Sequence, residues 1–240
     1  MGRPLGPMLS SRAMFFGPFM ILYGIGFLLL LLFVFVLEIG LIHHAFQMIG
    51  LSPEAAFLGL LASLAGSYIN IPIRRIDGGV RHEADTVHFF GVRYRVPTHP
   101  SSGHTTLAVN VGGAVVPVVI SIYILMNQPG TIIPAGLGVL IVSLVVHRFA
   151  RPIRGLGIAT PMLVPPIVAA IAASLLSGLF AQGIHVDAIA YVSGVMGTLI
   201  GADIANLDKL GDLGAPVASI GGAGTFDGVF LTGIVAVLLA

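Results

Sequence analysis

The sequence predicts an all-α protein: a polytopic bundle of about seven transmembrane helices with its N-terminus in the cytoplasm. Three observations lead there. First, hydrophobic residues make up 56% of the 240 and charged residues only 9%, with a mean hydropathy of +1.03. A soluble domain carries about 25% charged residues, so this chain has too little charge to cover a water-facing surface. Second, the apolar residues fall into seven runs, and about 20 residues cross a bilayer as a helix. Third, every Lys and Arg falls in alternate connections between those runs, as cytoplasmic loops require. The expected partner is the lipid bilayer, and the expected location is the cell membrane, multi-pass.

The runs follow in order. The first covers about 14–37, preceded by Arg3 and Arg12. It resembles a signal peptide but is too long for one and lacks a small-residue cleavage site, so it reads as a retained span. The second begins at Ser52-Pro53-Glu54, a helix start with an N-cap hydroxyl, a proline at the first position and an acid in the first turn. It runs to about Ile71, where Pro72 and Arg74-Arg75 stop it. The third is 104–126, the fourth 131–147, the fifth 158–181, the sixth 186–204 and the seventh 221–240. Pro161, Pro165 and Pro166 predict an interruption of the fifth near Pro165.

The whole chain, 1–240, reads as one transmembrane domain, with a polar cytoplasmic loop at 72–103. Within that loop TVHFFGVRYRV alternates about Phe90-Gly91, as a short β-hairpin would. His82, His88, His99 and His104 lie nearby, but their spacing matches no zinc pattern. No metal and no cofactor is expected. The absence of cysteine excludes disulfides and thiolate chemistry, and a net charge of +1 gives no reason to expect nucleic acid. A weak internal repeat relates spans two and three to spans six and seven. SLAGSYINIP resembles TLIGADIANL, with Gly66 against Gly201, and VGGAVVPV resembles IGGAGTFD at its GGA triplet.

The acids carry the functional reading. Asp208, Asp212 and Lys209 fit a solvated loop. Asp203 lies at the inner end of span six, and Asp227 about two turns into a helix starting near Gly221. An ionisable group in a span costs about 3 kcal/mol or more at the bilayer centre, so it is a functional candidate. The two sit on consecutive antiparallel spans at the same membrane side. As a pair they would share a proton, the state in which aspartyl proteases activate water. Gly222, Gly224 and Gly228 would leave room for a substrate backbone, and Asn206 is a polar spot beside it.

Two resemblances follow. GSYINIP, VNVGGAVVP and GADIANL…GGAGTFDGVFLTG together resemble a prokaryotic membrane family known as domain-of-unknown-function family 1614, which implies no activity. The acid placement is also similar to the GxGD intramembrane aspartyl proteases, the presenilin-like and prepilin peptidases. That likeness implies Asp203 and Asp227 as catalytic acids and a membrane-protein substrate. The sequence departs from it: Phe226 stands at the second glycine of the motif, Gly201-Ala202 precede Asp203 in place of a tyrosine, and no Pro-Ala-Leu motif follows. Other readings stay open. One is a proton- or cation-coupled transporter or channel, and another is a non-catalytic subunit of a membrane complex. A third is a Mg²⁺-dependent lipid-headgroup enzyme using Asp203, Asp208 and Asp212 beside Arg148, Arg151 and Arg154.

Overall fold

The computed structural model describes residues 18–77, 86–89, 92–95, 104–153, 157–180, 185–210, 217–222 and 228–240. It divides into two units, residues 1–40 and 41–240. The first contains most of α1 (Pro18–Met48). Its side chains from Ile25 to Leu37 are exposed, because the run of Leu, Phe and Val is apolar on every face and has no core-facing stripe.

The second unit is mostly helical. It holds the end of α1, then α2 (Pro53–Gly66), α3 (Val116–Asn127), α4 (Ile132–Phe149), α5 (Val164–Leu179), α6 (Val186–Thr198) and α7 (Gly228–Leu239). Among the described residues, three segments are long and apolar enough to cross a membrane, Ile25–Met48, Pro129–Phe149 and Val186–Lys209, which marks a membrane protein. Four shorter apolar helices accompany them. α2 starts as its sequence dictates: the Ser52 hydroxyl accepts from the Ala55 amide at 3.2 Å, with Pro53 at the start. α6 is the central helix, packed by α3, α4, α5 and α7. Its glycines permit this crowding. A Cβ on Gly197 would lie 2.6 Å from the Val142 Cβ, and one on Gly201 would collide with the Ser143 backbone. Around Tyr191 the core is aromatic, with Phe46 6.4 Å from its ring and 5.9 Å from that of Phe230.

The expectation of an all-α fold needs correction, because the unit also contains strands. β1 (Asn70–Asp77) pairs antiparallel with β4 (His104–Asn110), with Asn70 opposite Asn110. β4 pairs in parallel with β7 (Val217–Ile220), with Val109 opposite Ile220, so the order is β1-β4-β7. β2 (Thr86–Phe89) pairs antiparallel with β3 (Val92–Arg95), and β5 (Arg151–Ile153) with β6 (Gly157–Ala159). The segment HTTLAVN was assigned above to the third span on hydropathy alone. It is extended because its threonines and valine favour a strand and β1 lies alongside to take its backbone hydrogen bonds. The expected span two to Ile71 likewise ends at Gly66, and span five starts at Val164 and not at 158.

Two further corrections concern turns. Pro165 and Pro166 do not interrupt a helix. They sit in the first turn of α5, where amide hydrogens have no intrahelical partner and proline costs nothing. Nor does the seventh helix start near Gly221. Gly221 and Gly222 have φ of +80° and +93°, a left-handed conformation that ends β7 and excludes a helix through them.

Candidate functional site

α6 does not simply end. After Thr198 it widens into a π-helical turn, Leu199–Asp203, and then tightens into a 3₁₀ segment, Ile204–Lys209. Such changes of pitch free backbone carbonyls and recur at functional sites. Asn206, fully buried, serves those carbonyls. Its amide nitrogen donates to Gly201 O at 3.2 Å and Ala202 O at 2.9 Å and lies 3.3 Å from His147 Nδ1. Its oxygen accepts from Lys209 Nζ at 2.7 Å.

The π-turn delivers Asp203 to β7. The Asp203 Oδ2 accepts from the Gly221 amide at 2.7 Å. Gly221 in turn lies against the VGGAV turn before α3, where a Cβ would approach the Ala114 Cβ to 2.7 Å. Gly221 and the Gly113-Ala114 pair thus follow neighbouring parallel strands and pack on one another. Below them Asn110 donates to Ser67 O at 2.7 Å and to Asn70 Oδ1 at 3.1 Å, while Ser219 donates to the same Asn70 oxygen at 2.6 Å. These bonds fasten the three strands side by side at the end of α2.

Asp203 lines a cavity of about 480 Å³. Its other walls come from β6, the start of α5, the end of α6, β7 and the first turn of α7. The walls are largely apolar, with Ile158, Met162, Leu210 and Val217 among them, and the polar groups are Thr160, Thr198, Asp203, Ser219 and Thr232. That mixture suits a small-molecule or peptide site, where few polar groups orient an apolar body.

Of the residues singled out in the sequence, the structure brings Asp203, Gly222 and Gly228 to this cavity. At Gly228 an added Cβ would meet nothing within 4 Å. Asn206 is not among the lining residues, its amide being engaged with backbone, His147 and Lys209. Asp227, Gly224 and Asp212 lie outside the described residues. Asp208 is exposed and away from the cavity lining. Sequence reasoning missed Thr198, Ser219 and Thr232. Thr198 and Asp203 are five residues apart, and five residues along an α-helix leave side chains about 140° apart. Only the π-turn brings them to one cavity, and nothing in a periodicity count signals it.

Residues 64–239 match the family described as "Protein of unknown function (DUF1614)". The chain belongs to the DUF1614 family. The DUF1614 match starts at the end of α2 and runs to the end of α7, so it takes in the sheet, the π-turn and every wall of the cavity. α1 and most of α2 lie outside it. No curated protein and no solved structure matches the chain.

Proposed function

We propose that this DUF1614 protein is a multi-pass protein of the cell membrane that works as a divergent intramembrane aspartyl protease, with Asp203 and Asp227 as its acid pair. One observation carries the reading: Asp203 faces the same cavity as β7 and as Gly228, the residue that directly follows Asp227. β7 is the outer strand of its sheet, and its residues line the cavity. An extended segment of a membrane-protein substrate would add to it by main-chain hydrogen bonds, bringing a peptide carbonyl beside the carboxylates. One acid would take a proton from water as the water attacks that carbonyl. The other would protonate the carbonyl oxygen, and the departing amine would leave with a proton. Gly222 and Gly228, which line the cavity, keep the approach clear. Arg and Lys segregation sets the N-terminus and this site on the cytoplasmic side.

The test is cleavage of a co-reconstituted single-span substrate in liposomes. Asp203→Asn and Asp227→Asn should each abolish cleavage, and the double change should be no worse than either alone, as for groups acting as a unit. Cleavage by both Asn variants at the wild-type rate sinks the proposal. A second reading is favoured by the oxygen-bearing side chains Thr198, Ser219 and Thr232 around Asp203: proton- or cation-coupled transport. In that case Asp203→Asn removes coupled flux while no cleavage is seen in any variant. If both Asn variants match the wild type in cleavage and flux, the subunit role is the survivor.

A further inference from the structure

The hairpin in the polar loop plays no part in the reading above. Its strands pair with Thr86 opposite Arg95, Val87 opposite Tyr94, His88 opposite Arg93 and Phe89 opposite Val92. Directly opposed residues share a face, and the face alternates at each step along a strand. The register therefore sorts all these residues by chemistry. Val87, Phe89, Val92 and Tyr94 fall on one face, and Thr86, His88, Arg93 and Arg95 on the other. A lone two-stranded hairpin is marginal in water unless something covers its apolar face. Among the described elements β2 and β3 pack chiefly on each other, so the cover comes from outside them.

Charge and reach say what the cover is. From Thr86 to Arg95 the chain carries arginines and a histidine but no acid. β1, which leads into the hairpin, adds the exposed Arg74 and Arg75 beside the exposed Ile71 and Ile73. The segregation of Arg and Lys assigns this loop to the cytoplasm, where the anionic leaflet attracts basic segments close to a span. β1 leaves the end of α2 and rises about 26 Å over its length. Residues 78–85 and 96–103 tether the hairpin to the paired ends of β1 and β4, Asp77 and His104. Each tether is as long in residues as β1 itself, and a chain of that length reaches about 26 Å. The hairpin can therefore lie back on the membrane that β1 leaves.

We propose that the β2–β3 hairpin docks on the anionic cytoplasmic leaflet, with the Val87, Phe89, Val92 and Tyr94 face at the boundary of headgroups and acyl chains and Arg93 and Arg95 at the lipid phosphates. It is the strand counterpart of an interfacial amphipathic helix, sorted with period two in place of about 3.6. Aromatic rings favour that depth, and the apolar stems of arginine let its head reach from the polar face to the phosphates. The docking is independent of the chemistry at Asp203.

The chain has no tryptophan, so single tryptophans can report each face. Phe89→Trp, Tyr94→Trp, Thr86→Trp and His88→Trp are reconstituted as full chains in vesicles of phosphatidylglycerol and phosphatidylcholine with brominated acyl chains. Phe89→Trp and Tyr94→Trp should give blue-shifted emission quenched by the bromines. Thr86→Trp and His88→Trp should emit as in water and escape quenching. The contrast should shrink in phosphatidylcholine alone and at high salt, where the attraction is lost or screened. An arginine near an anionic surface is worth about fivefold in binding, so Arg93→Gln with Arg95→Gln should lower the docking equilibrium of Phe89→Trp about 25-fold. Quenching at all the positions or at none overturns the proposal, as does equal quenching in phosphatidylcholine at high salt. A blue shift of Phe89→Trp without quenching also overturns it and shows that a protein surface covers the face. No readout uses cleavage or flux, so failure of the protease reading leaves this test intact.

Discussion

α1 and α6 invite comparison. Ile25–Met48 and Val186–Lys209 are both 24 residues long, yet the most apolar stretch of the first is 0% buried and that of the second 72%. α1 is built from Leu, Phe and Val with no small-residue stripe. α6 carries Ala188, Ala190, Gly194 and Gly197, interrupted by Tyr191, Ser193 and Thr198, and it ends in a change of pitch that delivers an acid. Greater apolarity therefore does not mean greater burial. Helix association within a membrane has no hydrophobic driving force, and small residues permit the close packing that replaces it.

The largest effect should come from bulk on α6. Gly201→Val forces side-chain atoms into the Ser143 backbone and should destabilise by about 3 kcal/mol or more, read as loss of folded protein in denaturant titrations. The matched Gly26→Val in α1 has open space around it and should stay within about 0.5 kcal/mol. Equal losses would erase the distinction between the two helices.

Next comes charge. Leu30→Asp puts an unpartnered acid on an exposed, apolar face of α1 and should cost about 3 kcal/mol in a membrane-insertion assay. The acid that α6 brings to β7 is already held by the Gly221 amide. Asp203→Asn keeps an acceptor for that amide and should change stability by under about 1 kcal/mol, whereas Asp203→Ala strands the amide at about 1–3 kcal/mol. Similar losses for Asn and Ala would show that the Gly221 bond is not what holds the carboxylate.

The smallest effect concerns Tyr191. Its hydroxyl is fully buried and has no hydrogen-bond partner among the described residues, so Tyr191→Phe should be neutral or stabilising by up to about 1 kcal/mol. A clear loss of Tm would reveal a partner for that hydroxyl. A different check addresses orientation. The chain contains no cysteine, so single cysteines at Asn127 and Ser101 should label from opposite sides of oriented vesicles. Labelling from one side would reject the seven-span topology proposed from the arginines.

Much of this molecule is legible in its residues. Ser52-Pro53-Glu54 announces the start of α2, and the apolar runs announce α4 and α6 because each is continuous and lacks a competing pattern. HTTLAVN was misassigned because an apolar strand and the first turns of a membrane helix have the same hydropathy, and its partner β1 lies well upstream, with Asp77 opposite His104 and Asn70 opposite Asn110. The acid at 203 was legible as a costly residue. What faces it was not, because Ser219 and Thr198 reach the cavity through a parallel strand pairing and a π-turn, neither of which has a sequence period. The GGA triplet misled in the same way. It looked like a helix start, but Gly221 and Gly222 are left-handed and turn the chain away from β7.

The bond from Ser219 to Asn70 joins residues 149 apart. A ribosome making about 5–20 residues per second takes on the order of ten seconds to cover that distance. Once Asn110 has been added, β1 and β4 exist but β7 does not, so β4 carries an unpaired edge next to a bilayer already receiving the earlier helices. An open strand edge is a template for the wrong neighbour. The site around Asp203 is therefore assembled only once β7 has been made and closes that edge. Until then the open edge of β4 can mispair.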